Sequence, residues 1–303
     1  MPIVIGIDNG FGNTKTSSCM FPSGVVAYES EPFIKQGKMQ YKGKYYVCGG
    51  ETGALTKDKT ENENYFILTL AAIAKEIEHR GLPRTLDIII AAGLPLTMFG
   101  SQKENFKKYL SQMMPVKYEF EDNKYKINII DVMLFPQGYS AIAYKRDLLL
   151  REPSQILIDI GSWTVDTMLI NKGLPVAGKH RSLELGIMVC IEEILEEIRK
   201  QKGLSMTETQ IEQVLLFKDC TMDSDIKNLI IAKAKTYANN LFKELDKAKF
   251  DTAAVPTIIM GGGAQIIKPY ITKSQNILLI NDIHANAKGY EILAKIKKES
   301  STT

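Results

Sequence analysis

The sequence predicts an α/β protein built from two related halves. The first observation behind this prediction is an internal repeat: "IGIDNGFGNTKTS" at residues 5–17 matches "ILIDIGSWTVDTM" at residues 156–168. In both copies an apolar run ends in Asp, a short Gly-containing turn follows, and a second strand begins. The second observation is that short apolar runs alternate with longer segments of helical periodicity across the whole chain.

The elements of each half follow from these periodicities. In the first half, strands and hairpins are predicted at 2–8, 12–21, 37–49, 85–95 and 116–135, and helices at 63–81, 102–114 and 139–150. In the second half, the repeated hairpin at 156–168 is followed by predicted helices at 186–203, 223–250 and 286–300, with a strand, glycine turn and helix start at 257–267. The helix at 139–150 is expected to connect the halves, with the boundary near residues 151–154.

Composition excludes several classes of function. The 45% hydrophobic and 24% charged fractions are typical of a globular protein, and a net charge of +3 is too small to indicate nucleic-acid binding. No segment has the uncharged apolar length of a membrane span, and the N-terminus lacks the pattern of a signal peptide. The four cysteines are far apart, which predicts reduced, mostly buried thiols in a cytosolic protein. His79, His180 and His284 are isolated from one another in the sequence, and we assign them no role.

The two repeated turns suit a nucleotide's phosphates. Glycine lets backbone N–H groups approach a phosphate closely, and carboxylates are suitable ligands for Mg²⁺. We therefore predict that Asp8 and Asp159 hold a hydrated Mg²⁺. The first turn is expected to wrap the β-phosphate through Gly10, Gly12, Asn13 and Thr14, with Lys15 adding positive charge, and the second to wrap the γ-phosphate through Gly161, Ser162, Trp163 and Thr164. The alternative is that both are ordinary hairpin turns, since Asn-Gly is a strong turn signal.

A third glycine-rich turn, "IIMGGGAQIIK", lies at residues 258–268. Three glycines between a strand and a helix permit close approach of a flat or charged ligand. Neither GxGxxG nor GxxxxGK[ST] fits the sequence, so the Rossmann and P-loop interpretations are poor.

Together these motifs resemble those of the actin-like ATPase superfamily, whose members include actins, 70-kDa heat-shock chaperones and sugar kinases. The matching residues fall at the phosphate-1, phosphate-2 and adenosine motifs: Asp8, Asn9, Gly10, Gly12 and Lys15; Asp159, Gly161, Thr164 and Asp166; and Gly261, Gly262 and Gly263, followed by Ala264. The chain looks most like the bacterial plasmid-segregation actins (the ParM/StbA group).

The resemblance implies an actin-like fold, with two RNase H-like α/β domains flanking a nucleotide cleft. Domain I is expected at 1–152, with a smaller subdomain around 25–80, and domain II at 153–303, with a helical subdomain around 186–250. The implied activity is Mg²⁺-dependent hydrolysis of ATP or GTP by a cytoplasmic protein that forms dynamic filaments. The implied partners are further copies of the chain and a DNA-binding adaptor of a plasmid-partition system, without direct contact to DNA or membrane.

The resemblance also suggests roles for individual residues. Gln137, at the start of the connecting helix, matches the position that orients the attacking water, and Asp159 is then the expected proton acceptor. Glu184 resembles an acidic residue that contacts the ribose, although a Glu near a helix N-terminus needs no such role. Trp163 departs from the small residues usual in this turn. Its indole is expected to pack against the opposite domain, a neighbouring subunit or the core.

Three other functions on the same fold remain as alternatives. A sugar-type small-molecule kinase would require an additional Asp as base, and such kinases are usually longer. A chaperone ATPase would require a substrate-binding domain after the last helix. A cell-shape actin would bring a membrane-inserting apolar loop or an amphipathic N-terminus. None of these features is recognisable in the sequence, which favours the filament-forming ATPase.

Overall fold

The computed structural model describes residues 2–50, 58–111, 115–271 and 276–300. The chain divides into two compact units. Unit 1 comprises Met1–Arg146 together with His284–Thr303, and unit 2 comprises Asp147–Ile283. No helix in the described ranges is both long enough and apolar enough to cross a bilayer.

Unit 1 is built around one mixed sheet. Its strands are β1 (Ile3–Asn9), β2 (Asn13–Thr16), β3 (Met20–Pro22), β4 (Gly24–Tyr28), β5 (Lys38–Tyr41), β6 (Lys44–Gly50), β7 (Thr85–Leu94), β8 (Val116–Phe120) and β9 (Asn123–Pro136). Its helices are α1 (Asn64–His79), α2 (Leu96–Leu110), α3 (Tyr139–Ala143) and α9 (Ala285–Ser300), with α4 (Arg146–Leu149) at the boundary. The strand order is β3-β2-β1-β7-β9-β8-β5-β6-β4. Helix α1 is apolar around most of its surface and is buried in the core of this unit.

Unit 2 repeats the central topology of unit 1. Its strands are β10 (Ser154–Ile160), β11 (Val165–Asn171), β12 (Leu174–Leu183), β13 (Thr257–Met260) and β14 (Ile277–Leu279), in the order β12-β11-β10-β13-β14. Its helices are α5 (Ile187–Lys202), α6 (Glu208–Leu215), α7 (Ser224–Lys247) and α8 (Ala264–Ile267). In both sheets the first three strands of the order run antiparallel and the next two join parallel. The repeat seen in the sequence is therefore a repeat of fold.

Helix α9 packs on unit 1, whereas the expected ranges placed it in domain II. It contacts β1, β7 and α3, and three glycines at these contacts allow the close approach: Gly6, Gly93 and Gly289. A Cβ at each of them would lie 2.0 Å from Ala287 O, 2.1 Å from Tyr290 Oη and 2.1 Å from Ser140 O, respectively. A basic amphipathic pattern identifies a helix but does not identify the sheet that it covers.

An ion-paired cluster ties the end of β2 to helices α1 and α9. Arg80 contacts Glu76 at 2.5 Å and Glu291 at 2.6 Å, and both carboxylates are buried. Ser17 Oγ donates to Glu291 at 2.7 Å, and the Thr16 hydroxyl donates to Glu76. His284, to which we assigned no role, contacts the carbonyl of Thr16 through Nδ1 at 2.8 Å. This cluster fixes the outer strand of the first hairpin.

The predicted elements differ from the observed ones in a few places. The expected helix at 139–150 is two short helices, α3 and α4, because α3 closes with an i→i+3 bond from Lys145 N–H to Ile142 O. The helix expected at 102–114 begins earlier, at Leu96, and residues 112–114 lie outside the described residues. Strands β4, β12 and β14 and helix α6 were not predicted. Helix α6 begins with a capping box between Thr207 and Gln210, which is a sequence signal we missed.

The cysteines are free thiols, as expected. Cys48 and Cys190 are buried, and burial raises the pKa of each to about 12, so both stay protonated. Cys19 and Cys220 are partly exposed.

Candidate functional site

The β1–β2 hairpin of unit 1 places an acid beside a base. Asp8 pairs with Lys15 and Asn9 pairs with Thr14 across the two strands. Side chains of directly paired residues lie on the same face of a sheet, so Lys15 lies next to Asp8. Asp8 is only 4% exposed, whereas Lys15 is partly exposed. The hairpin therefore presents an accessible cation beside a buried carboxylate.

Ser23 holds the turn of this hairpin, and sequence reasoning missed it. Its hydroxyl donates to the carbonyl of Gly10 at 2.7 Å, and its N–H donates to the carbonyl of Gly12 at 3.0 Å. Because the one hydroxyl proton of Ser23 is used, the Thr14 hydroxyl must donate to Ser23 Oγ, at 2.9 Å. Thr14 is fully buried, so its side chain does not face a ligand. A Cβ at Gly10 would lie 2.8 Å from Asn13 O, which explains the glycine.

Asn9 and Lys59 brace the end of β1 from inside the unit. The Asn9 side chain is buried, and its Nδ2 donates to Thr69 Oγ1 in α1 at 3.0 Å. Lys59 is 5% exposed; its Nζ donates to the Asn9 carbonyl at 2.8 Å and lies 5.6 Å from the centre of the Tyr65 ring. The Asn9 side chain therefore braces the hairpin through Nδ2, and its predicted place in the phosphate-binding turn stays a prediction. Lys59 had no sequence signal, since it is distant in sequence from either motif.

Gln137 follows β9 at the same sheet edge as this hairpin. Ile7 pairs with Ala92 in the parallel strand β7, and Leu94 pairs with Pro136 in β9, so the three strands end together. Gln137 is partly exposed, and its N–H donates to Leu94 O at 2.8 Å.

A tight γ-turn fixes the position of Gln137. Tyr139 N–H donates to Gln137 O at 2.9 Å around Gly138, which has φ +75°. Asn286 of α9 accepts the Gly138 N–H at 2.9 Å through Oδ1. The last helix of the chain therefore positions the residue that we expected to orient water.

The β10–β11 hairpin of unit 2 has the same register as the first hairpin but two acids. Asp159 pairs with Asp166 directly across the strands, as Asp8 does with Lys15. Asp159 is 4% exposed and Asp166 is 9% exposed, and Thr164 Oγ1 donates to Asp166 Oδ2 at 3.2 Å. Paired like charges destabilise a sheet, so this arrangement favours binding of a cation.

The turn of this second hairpin packs on the start of helix α5. The carbonyls of Gly161, Ser162 and Trp163 accept from Ile187, Met188 and Gly186 N–H, respectively, at 2.9–3.1 Å. A Cβ at Gly186 would lie 2.3 Å from Ser162 O, so the contact requires glycine. Three successive carbonyls of the turn therefore bond to the start of α5, and Gly161 N–H donates to Thr164 O within the turn at 2.9 Å.

Trp163 is 54% exposed, which rules out the core position considered from the sequence. Glu184 is also exposed, in the segment that joins β12 to α5. It follows β12 and precedes Gly186, so it lies beside the turn at 161–164. Its expected contact with a ribose remains a prediction.

The glycine turn at 261–263 lies against the end of β10. Gly261 has φ +93°, and a Cβ there would be 2.4 Å from Asp159 Oδ1. Gly263 N–H donates to Ile160 O at 3.0 Å, and its own Cβ would clash with the Ile160 side chain at 2.3 Å. Gly262 is exposed, with no atom within 4 Å of an added Cβ. Ala264 is buried, so its side chain is not open to a ligand.

The donors near these turns suit Mg²⁺ rather than a soft metal. The candidate ligands Asp8 and Asp159 are carboxylates, and Mg²⁺ is commonly held by one or two carboxylates together with substrate phosphates. Within the described ranges no group of three or more His, Cys, Asp or Glu side chains could hold a metal ion. Asp8 belongs to unit 1 and Asp159 to unit 2, and their role as metal ligands stays a prediction.

Comparisons with protein families match both halves of the chain to actin-like proteins. Residues 6–139 match the family "Actin like proteins N terminal domain", and residues 157–273 match "Archaeal actin homologue MreB-like, C-terminal". An archaeal actin homolog from Thermoplasma acidophilum is 25% identical over 300 residues, covering 88% of this chain and 89% of that protein.

Solved structures share the fold. The crystal structure of an archaeal actin homolog superposes with a TM-score of 0.80 at 22% identity, covering 97% of this chain and 99% of that chain. A 15-stranded ParM filament from Clostridium botulinum gives a TM-score of 0.76 at 22% identity, covering 98% and 100%. Bacillus thuringiensis ParM with ATP gives 0.72 at 14% identity, covering 98% and 99%. The actin-like fold and the superfamily resemblance predicted from the motifs are confirmed.

Proposed function

We propose that this chain, a member of the actin-like ATPase superfamily, is a polymerising ATPase that forms dynamic filaments in the cytoplasm. The observation that carries the proposal is the shared register of the two hairpins, each with a buried Asp at the end of its first strand. Related structures support it: one archaeal actin homolog was solved in complex with ADP, and one ParM was solved as a filament.

The two hairpins and the glycine turn bind one nucleoside triphosphate, either ATP or GTP. In unit 1 the backbone of Gly10, Gly12, Asn13 and Thr14 contacts phosphate, and Lys15 neutralises its charge. In unit 2 the phosphate contacts come from the backbone of residues 161–164, while Glu184 contacts the ribose. The base packs over Gly262, the one glycine of its turn that the fold does not require.

Asp8 and Asp159 would hold Mg²⁺ directly or through water, with Asp166 paired beside Asp159. When bound, the ion neutralises charge on the phosphates. The chain's own contribution is to keep these carboxylates buried and in place: Gly261 leaves room for the Asp159 carboxylate, and Thr164 orients Asp166.

Gln137 orients the attacking water in this proposal. Hydrogen bonds from its γ-turn to β7 and α9 hold its backbone in place. An amide cannot accept the water's proton as a carboxylate can, so Asp159 accepts it. Hydrolysis is then slow and depends mainly on positioning and charge neutralisation. Slow hydrolysis suits a filament whose subunits change state with age.

The cellular role that we propose is plasmid DNA segregation, with a DNA-binding adaptor linking the filament to its cargo. This role is supported by the resemblance to plasmid-segregation actins and by the structural similarity to ParM. A net charge of only +3 supports an adaptor rather than direct DNA contact.

Light scattering after addition of ATP–Mg²⁺ or GTP–Mg²⁺ tests the proposal. We expect scattering to rise and later decay as nucleotide is consumed. Asp159→Ala should still bind nucleotide but hydrolyse it at least about 100-fold more slowly, so its filaments should persist. Asp246→Ala, an exposed carboxylate on α7, is the matched control and should behave like wild type. Absence of nucleotide binding by the wild-type chain, or rapid disassembly of Asp159→Ala filaments, would contradict the proposal.

A further inference from the structure

The outward face of the β5–β8–β9 part of the unit 1 sheet is basic. Along β8 and β9 the side chains alternate between buried and accessible positions, and Tyr118 on the buried face donates to Leu70 O in α1. The opposite face carries Lys117, Lys124 and Lys126, which are exposed. We call this surface the lysine face; the charged residues lining its shallow depression are Lys42, Lys117, Glu119, Lys124 and Lys126.

The lysine face brings like charges together, which destabilises the folded sheet. Lys117 and Lys126 pair directly across β8 and β9, and like charges in this arrangement are destabilising. Among the described residues, neither of them nor Lys124 forms an ion pair within 4.0 Å. Lys42 is paired with Glu63 at 3.9 Å and Lys124 lies opposite Glu119, so the facing Lys117 and Lys126 carry the uncompensated charge of this face. An acidic partner would relieve this repulsion.

Helix α5 of unit 2 carries an acidic surface of matching spacing. It has four glutamates within six residues, of which Glu192, Glu193 and Glu196 are exposed. Glu196 pairs with Lys200, but no ion pair to Glu192 or Glu193 is formed in the part of the chain that the structure describes. Residues four apart on a helix lie about 5–6 Å apart, close to the roughly 5 Å between cross-strand neighbours. Glu192 and Glu196 can therefore face the paired Lys117 and Lys126 on the sheet, and Glu193 adds a further negative charge beside them.

We propose that the lysine face binds the acidic surface of α5 on a second copy of this chain, and that this contact links subunits in the filament. The inference rests on the proposed function and names the surfaces that the assembly uses. The two surfaces are different parts of the chain, so the contact is heterologous. Each added copy leaves one unoccupied surface of each kind, and growth continues unless the rotation between copies closes a ring.

Charge reversal tests the contact. Lys117→Glu/Lys126→Glu and, separately, Glu192→Lys/Glu193→Lys should each raise the critical concentration for nucleotide-dependent assembly at least about 10-fold, because like charges then meet at the interface. The variant with all four substitutions should return to within about threefold of wild type, since the charges are exchanged rather than lost. Lys235→Glu/Lys243→Glu on α7 is the control for the lysine-face reversal. Both lysines are exposed, and the variant makes the same change in net charge as Lys117→Glu/Lys126→Glu, so it should assemble normally.

Two further measurements separate this inference from the proposed function. Nucleotide binding by unassembled protein should be unchanged in every charge variant, since these residues lie outside the phosphate-binding turns. If wild-type protein does not assemble at all, the proposed function fails. If it assembles and either pair reversal leaves the critical concentration unchanged, or the four-residue exchange does not rescue assembly, the interface assignment is wrong. Binding of a DNA duplex that Lys117→Glu/Lys126→Glu abolishes would also overturn it in favour of a nucleic-acid surface.

Discussion

The two Asp-containing hairpins share one register but differ in charge and in support. Asp8 faces Lys15 in unit 1, whereas Asp159 faces Asp166 in unit 2. The first pair carries opposite charges, whereas the second places two carboxylates next to each other on a buried sheet face. A duplicated scaffold thus provides one hairpin with a cation of its own and one that benefits from a cation supplied with a ligand.

Different parts of the chain support the two hairpins. The first is held by side chains, through Ser23 and Lys59 at its turn and the Arg80 cluster at its outer strand. The second is held mainly by backbone contacts to α5 and to the glycine turn, where Gly186, Gly261 and Gly263 permit close approach. Side-chain support can be removed one interaction at a time, whereas backbone support fails when any Cβ intrudes.

The largest expected effect on stability comes from disturbing the backbone contacts that hold the second hairpin. Gly261→Ala places a Cβ against Asp159 Oδ1 and Ile160 O at a residue with φ +93°, so we expect a loss of about 3 kcal/mol in the free energy of unfolding. Urea denaturation measures it. Gly262→Ala, at the next residue of the same turn but in open space, should change the free energy of unfolding by less than about 0.5 kcal/mol. Equal stability of the two variants would contradict the close packing described here.

Lys59→Met tests the side-chain support of the first hairpin. Removing the ammonium leaves the Asn9 carbonyl without this donor in a buried position, so the free energy of unfolding should fall by about 2 kcal/mol. Affinity for nucleotide should also fall, because the turn loses its brace. Lys44→Met, an exposed lysine on β6, is the control and should alter neither quantity.

Lys15→Met should weaken nucleotide binding with little effect on stability; a stability loss as large as that of Lys59→Met would show that Lys15 is structural instead.

Acid should loosen the first hairpin before the second. Burial raises the pKa of Glu291, but hydrogen bonds from Arg80, Lys295 and Ser17 outweigh it and leave the pKa lowered. A carboxyl whose folded-state pKa is lowered stabilises the fold fully above its ordinary value near 4.5, and this contribution is lost as pH falls through the folded-state pKa. Hydrogen exchange of β2 should therefore accelerate below about pH 4.5, and Glu291→Gln should remove that dependence. If hydrogen exchange of β11 accelerated over the same pH range, the acid-sensitive group would not be Glu291.

The smallest effect has the opposite sign. Asp166→Asn removes one of two facing carboxylates, so the free energy of unfolding without ligand should rise by about 0.5 kcal/mol at neutral pH. Calorimetry without nucleotide and Mg²⁺ measures the gain, and the gain should disappear when both are added. Destabilisation without ligand would mean that the Asp166 charge is already satisfied within the protein.

The hairpins could be predicted from the sequence because their signals are local. The spacing of Asp8 and Lys15, and of Asp159 and Asp166, fixes the cross-strand pairs once the turn length is known, and the observed registers agree. The buried strand β7 and the long helices α1, α5 and α7 were also correctly predicted, since their periodicity is strong.

The supporting residues could not be predicted, because their contacts are distant in sequence. Lys59 lies 50 residues from Asn9, and Asn286 lies 148 residues from Gly138. Edge strands such as β12, half exposed and containing Lys179 and Arg181, lack the alternating apolar pattern that identifies a strand. Phosphate-contacting roles for individual residues remain predictions because they depend on a ligand.

The position of α9 has a consequence for biosynthesis. Ribosomes make β1 near the beginning of the chain and α9 after the whole of unit 2, yet the helix covers β1 and β7 and anchors the turn at Gln137. A nascent chain therefore cannot finish folding unit 1, or fix the turn at Gln137, until α9 has been synthesised. Chains that lack α9 should consequently leave the faces of β1 and β7 that it covers open to solvent.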